Sequence, residues 1–250
     1  MLIEFEKIRN VRQLGGISAA GGKKVKDGVL FRSGDLRNAT ADDRERLCAE
    51  FGIKTVIDLR DSSDSGSHPD REIDGALNIN IPAFPPLKPT GELSAEVLRK
   101  KFDADPLSAY MGVYERLALT EESADAFSRL FRLLLERDGA FLFHCRQGKD
   151  RTGAAAVLIL SALGAEKGDI IADYMESNLA AEIIVAEARQ KGVPDDIYEK
   201  LRAHSFVYRQ CVDHYFDTLC ENYGSVRDYL TMRLGLSEND ISRLRAKFCI

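Results

Sequence analysis

The chain has 250 residues, 44% hydrophobic and 30% charged, the composition of a globular protein with room for one sizeable core, and no segment is apolar for the length of a membrane span. A formal net charge of -5 argues against nucleic-acid binding, so any anion site must be a local gathering of cations on an acidic body. Cys48, Cys145, Cys211, Cys220 and Cys249 are odd in number and widely spaced, with no C-x-x-C pair, which points to free thiols and no zinc site. The opening MLIEFEKIRN has no basic segment followed by an apolar one, so no signal peptide is expected. The cytoplasm is then the default location, with export by a signal-less route as the alternative.

In chain order, GVLFRSG and IKTVIDLR read as strands ending in polar residues, with TADDRERLCAEFG between them as a short helix closed by Gly52. DSSDSGSHPDREIDG reads as a loop, and ALNINIP alternates, putting Leu77, Ile79 and Ile81 on one face. Residues 83–107 carry four prolines around a short helical piece and predict a mobile flap. Phe127, Leu130, Phe131 and Leu134 recur at helical spacing and should pack on a sheet. The apolar run Phe141-Leu142-Phe143 predicts a buried strand, then comes HCRQGKDRTG, and from Arg151 an apolar helix. Residues 165–223 are helical in pattern, broken most clearly at GVPDD, and suggest a helical insertion beside the site. Ser237 and Asp240 form a capping box opening a terminal helix with an Ile241, Leu244, Phe248 stripe. Together these predict a single α/β domain over residues 1–250, a mostly parallel sheet flanked by helices.

The chemistry concentrates in HCRQGKDRTG. Cys145 and Arg151 stand in C-x5-R spacing between a strand and a helix. A strand, a tight turn and a helix aim successive N–H groups into one concavity, and the helix adds its positive dipole end. That field should pull the Cys145 thiol below its usual value of roughly 8.5. The planar fork of Arg151 suits two phosphate oxygens, and the Thr152 hydroxyl can donate to the sulfur as it leaves. Gly148 allows a close backbone approach, with Arg146 and Gln147 beside it. Lys149 is expected as a second, mobile cation over the pocket, and His144 as a brace for the loop. Arg32, Asp58 and Arg60 end strands, where they could serve the site or form ion pairs that hold it.

The loop resembles the signature of the protein tyrosine phosphatase superfamily, and its Lys-Asp before the Arg is similar to microbial tyrosine and phosphoinositide phosphatases such as those secreted by Listeria and Mycobacterium tuberculosis. RNVRQLGG, LFRSGDL, IDLR, DYMESN and YGSVRDYL are also similar to segments of that family, which has Asp where this chain has Gln13. The resemblance implies a metal-independent, cofactor-free cysteine phosphatase acting on phosphotyrosine proteins, phosphoinositides or both, without membrane insertion. It also implies Asp150 as general acid, since no W-P-D loop is present; Asp58, Asp61, Asp103 and Asp105 are the rivals. A rhodanese-like sulfurtransferase and a non-catalytic phospho-ligand binder are the competing functions, and a protective Cys48–Cys145 disulfide would need suitable geometry.

Overall fold

The computed structural model describes residues 2–84 and 95–250. The chain runs β1 (Arg12–Gln13), β2 (Leu30–Ser33), α1 (Ala41–Glu45, prolonged by a π-helical turn over Arg46–Glu50), β3 (Ile53–Asp58), α2 (Ser62–Ser67) and β4 (Leu77–Asn80). Then follow α3 (Ala95–Ala104), α4 (Pro106–Leu119), α5 (Glu121–Glu136), β5 (Ala140–His144) and α6 (Asp150–Leu163). The last elements are α7 (Lys167–Met175), α8 (Ser177–Gln190), α9 (Asp195–Ser205), α10 (Arg209–Tyr223), α11 (Val226–Asp228, prolonged by a π-helical turn over Tyr229–Arg233) and α12 (Glu238–Phe248).

The strands lie in the order β1-β2-β5-β3-β4, with β1 antiparallel to β2 and every other pair parallel. A parallel sheet covered on both faces needs apolar residues on both, which is why AFLFH is an unbroken apolar run up to its final His. Phe141 and Phe143 of β5 join the larger core, built with α4, α5, α6, α10 and α12, while Ala140 and Leu142 face the smaller core beneath α1. Helix α6 is enclosed: every residue from Thr152 to Leu160 is buried. Each fully buried Leu or Ile there contributes about 1.5–3 kcal/mol. This anchors the loop before α6 at its helical end, as β5 anchors it at the other.

Register brings the carboxyl ends of the central strands together: Ser33 and Asp58 both lie opposite His144. That end of an open parallel sheet is where ligand crevices form. The terminal helix carries its reciprocal Ser237–Asp240 capping box, as its sequence implies.

Two local expectations change. The polar stretch after β3 opens with a helix, α2, because the Asp61 side chain accepts from the Ser63 and Asp64 N–H groups and caps it. Strand β4 is the sheet edge, so Leu77 is exposed and Ile79 half-buried, and only Ile81 beyond its end is fully buried. Of the Pro-rich stretch, residues 83–107, residues 85–94 lie outside the described residues, and residues 95–107 hold α3, the Asp105 cap and the first two residues of α4. Helix α4 itself is a core element that buries Tyr110, Tyr114, Leu117 and Ala118.

Candidate active site

Cys145 follows directly on β5 and Asp150 opens α6, so the intervening loop is held between two buried elements. Gly148 has φ of +68°, and a Cβ there would lie 2.4 Å from the Ser33 carbonyl, so both the turn and its packing on β2 require glycine. Cys145 is 3% exposed. Burial opposes its ionisation, but the Arg151 charge and the hydroxyl and N–H of Thr152 outweigh it and hold the thiol below its ordinary value. The Thr152 hydroxyl is buried without an oxygen or nitrogen partner, which leaves it to the sulfur.

The floor of the loop is built from residues whose part the sequence does not declare. The Asn10 side-chain amide donates to the carbonyls of Gln147 and Gly148 at 3.1 and 3.0 Å, and Arg32 donates to that of Gly148 at 2.9 Å. The Asp35 N–H donates to the Arg146 carbonyl at 3.1 Å. With these carbonyls drawn downward, the N–H groups of Arg146, Gln147, Gly148 and Lys149 have no protein partner among the described residues. That is the arrangement of an anion nest. Asn10 holds φ of +57°, the single positive value outside glycine among the described residues.

Beneath lies a buried ion cluster. Asp173 of α7 accepts from Arg12 at 2.9 Å and from Arg32 at 2.5 Å, and Arg12 also donates to Asn10 Oδ1, the Asp173 carbonyl and Ser177. Burial, with the adjacent Arg32 charge, pulls Arg12 down to about 10 while Asp173 works in the opposite direction. Arg32 is thus a brace for the loop and contacts no reacting group. Asn10, Arg12 and Asp173 fall in RNVRQLGG and DYMESN, but partners more than 130 residues apart leave no local signal. Gln13, where the family has Asp, accepts from the Gly28 N–H at 2.7 Å and lies outside the loop's contacts.

His144 braces the other side. Its Nε2 lies 3.1 Å from Asp70 and its Nδ1 3.3 Å from the Cys145 carbonyl. Burial works against a charged His144, and the Asp70 carboxylate overrides it and raises the imidazole, while Asp70 itself is lowered. Asp58, Asp70 and His144 lie close enough for a shared ligand set, but the Arg60 guanidinium occupies it, 2.9 Å from Asp58 and 2.8 Å from Asp70. Asp58 and Arg60 therefore form a buried ion pair.

Over the loop the contacts loosen. Arg151 meets Asp61 at 3.7 Å and Asp64 at 3.8 Å, both on α2 or its cap, and Arg146 meets Asp64 at 4.0 Å. Against burial, cap hydrogen bonds and Arg151 hold Asp61 low, which keeps it ionised and unsuited to proton donation. Asp103 and Asp105 are exposed, and Asp105 caps α4. Lys149, expected as mobile, is 2% exposed and pinned: its ammonium donates to the Tyr110 hydroxyl at 2.9 Å and to the His204 carbonyl at 2.6 Å. Burial lowers the Lys149 ammonium, an effect that Asp150 opposes, and the carbonyls at the end of α9 supply hydrogen-bond acceptors for it. Asp150 lies 3.8 Å from Lys149 and accepts from Tyr114. Cys48 donates to the Asp74 carbonyl from the smaller core, across the sheet from the core that holds Cys145.

Beside the loop opens a cleft of about 690 Å³ lined by Arg146, Gln147 and Lys149 together with Lys7, Arg9 and Arg37. Asp35 is the acidic residue in its lining, paired with Arg37 at 3.3 Å, and burial raises its carboxyl. Positive charge thus gathers at this end of an acidic protein. No helix among the described residues is long and apolar enough to cross a membrane.

The chain is 32% identical to a protein of Cupriavidus necator named as a tyrosine-protein phosphatase, over 98% of this chain and 88% of that one. It is 28% identical to a tyrosine-protein phosphatase of Nostoc commune, over 88% of this chain and 74% of the relative. The triple specificity protein phosphatase PtpB of Mycobacterium tuberculosis is 25% identical over 88% and 91%. The model of the tyrosine phosphatase family matches residues 3–250. Because that match takes in the floor, the braces and the closing helix as well as the loop, the chain belongs to the tyrosine phosphatase family and is a phosphoric monoester hydrolase.

Proposed function

We propose that the protein hydrolyses phosphomonoesters through a phosphocysteine. The Cys145 thiolate attacks phosphorus in line, forming the S–P bond as the P–O bond to the leaving group breaks. The electron pair passes to the leaving oxygen, which takes a proton from Asp150. The loop N–H groups and the Arg151 fork hold the three equatorial oxygens, where charge spreads in the transition state. Water then attacks phosphorus, Asp150 takes its proton, and the sulfur leaves as a thiolate stabilised by Thr152. The observation that carries this reading is the lowered thiol beneath a loop whose carbonyls are all turned away from it. The charge is supplied by amides and Arg151, so the reaction needs no metal.

The substrates are phosphotyrosine proteins, phosphoinositides or both, and triple specificity in the M. tuberculosis relative's name supports a broad range. With Lys149 pinned, the cations left for a second phosphate are Lys7, Arg37 and Arg146 along the cleft. The test is phosphate release in EDTA from phosphotyrosine peptide, phosphoserine peptide and phosphoinositides, with Cys145→Ser in parallel. Release by the wild type that the variant lacks is expected. Release that persists in Cys145→Ser would overturn the thiol mechanism, and silence on lipids alone would confine the substrates to phosphoproteins.

A further inference from the structure

Helix α4 meets the loop through two tyrosines one turn apart, and neither has a part in the scheme above. At i and i+4 they share a face. Tyr110 accepts from Lys149 at 2.9 Å, and Tyr114 donates to Asp150 Oδ1 at 3.3 Å. Successive loop residues are thus gripped by successive turns of one buried helix. Tyr114 has no solvent exposure and is wedged between Tyr174 and Tyr215, with ring centroids 5.9 and 5.8 Å away in edge contacts. Held there, its hydroxyl has Asp150 Oδ1 and the Tyr174 hydroxyl as polar neighbours. The wedge bears directly on the catalytic turn, because a Cβ on Gly153 would come 3.1 Å from the Tyr174 ring and 3.5 Å from the Tyr114 oxygen. Tyr114 donates to Asp150 Oδ1, while Oδ2 faces the Lys149 ammonium at 3.8 Å.

We propose that Tyr114 is a positioning residue for the general acid: its hydroxyl fixes Asp150 Oδ1 and so aims the other oxygen at the leaving group. The inference rests on the reading of Asp150 as that acid. A carboxyl without this tether rotates about χ2, a broad torsion, and spends less time within reach of the leaving oxygen. Burial, with the nearby Asp150 carboxylate adding to it, keeps the Tyr114 phenol neutral and able to donate.

The experiment is kcat/KM, which reports the attack of Cys145 and departure of the leaving group, for phenyl phosphate, whose leaving group needs a proton, and 2,4-dinitrophenyl phosphate, whose leaving group does not. Tyr114→Phe keeps the ring and its edge contacts. It should lower kcat/KM on phenyl phosphate about tenfold, a part of the roughly 10²-fold or more carried by a general acid, with kcat/KM on the dinitrophenyl ester unchanged. Asp150→Asn should show the same selectivity more strongly, and the double variant should lose nothing beyond Asp150→Asn. Tyr215→Phe removes a hydroxyl from the same buried ladder with no contact to Asp150, and should behave as wild type. Equal losses of Tyr114→Phe on both substrates, or losses matched by Tyr215→Phe, overturn the inference while leaving Asp150 as the acid. If Asp150→Asn itself shows no leaving-group selectivity, the acid assignment falls and the role of Tyr114 falls with it.

Discussion

The two sides of the phosphate loop are built differently. Below it, Arg12, Arg32 and Asp173 are buried and joined at 2.5–2.9 Å, and Asn10 and Arg32 donate to the loop's own carbonyls. Above it, Arg151 and Arg146 face Asp61 and Asp64 at 3.7–4.0 Å with partial exposure. The floor fixes a shape that an amide nest needs before any ligand arrives, since preorganised donors cost no reorganisation during reaction. The roof holds the Arg151 guanidinium at longer range, against Asp61 and Asp64. Strong pairs are placed where nothing should move, and weak ones where substrate must enter.

Replacing Asp173 with Ala should show the contrast most strongly, because it strands the buried Arg12 and Arg32 charges. A loss of about 3–5 kcal/mol in denaturant unfolding is expected. A loss below about 1 kcal/mol would show that Glu176, 3.9 Å from Arg12, takes over as counter-charge. Asn10→Ala comes next, at about 1–3 kcal/mol for the Gln147 carbonyl left unpaired. Asn10→Gly should be less damaging, since glycine accepts the positive φ, and both should raise the Ki for inorganic phosphate; an unchanged Ki would detach the floor from the nest.

On the roof the expected sign reverses. Asp61→Asn with Asp64→Asn preserves the α2 cap and frees Arg151, so KM for an aryl phosphate should fall by about two- to fivefold, within the range of a weak ion pair. A raised KM would mean that these carboxylates orient Arg151 for substrate.

The smallest effect is a pH drift at the edge of the floor. His144 is raised in the fold, so its contribution is full below the unfolded value near 6.5 and is lost as pH rises through the folded one. Asp70 is lowered, so its share is present above about 3.9 and lost as pH falls through its folded value. The pair is strongest between about pH 4 and 6.5. Unfolding free energy should therefore decline from pH 6 to pH 8, and Asp70→Asn should flatten that decline. A decline that survives in Asp70→Asn would assign it to other groups.

Where the signal is local, the sequence is readable. The apolar runs give β2, β3 and β5, the capping box gives α12, and C-x5-R gives a loop held between a strand and a helix with Cys145 and Arg151 at its ends. Lys149 shows the limit: a lysine next to a catalytic turn reads as a solvated cation, and only the carbonyl end of α9 and Tyr110 bury it. Helix α4 was hidden behind a Pro-rich stretch, so the tyrosines that grip Lys149 and Asp150 carried no sign of their role.

The sequence by itself determined the parallel sheet, the loop between strand and helix and the family likeness, because hydrophobic period, turn glycines and C-x5-R spacing act between near neighbours. The tertiary structure decided which charges are buried in pairs, where Lys149 lies and what holds the loop carbonyls. Much of that depends on partners far apart in the chain, such as Tyr114 with Asp150, 36 positions away, and Arg12 with Asp173, 161 positions away, and such pairs meet only when the sheet and its helices close around them.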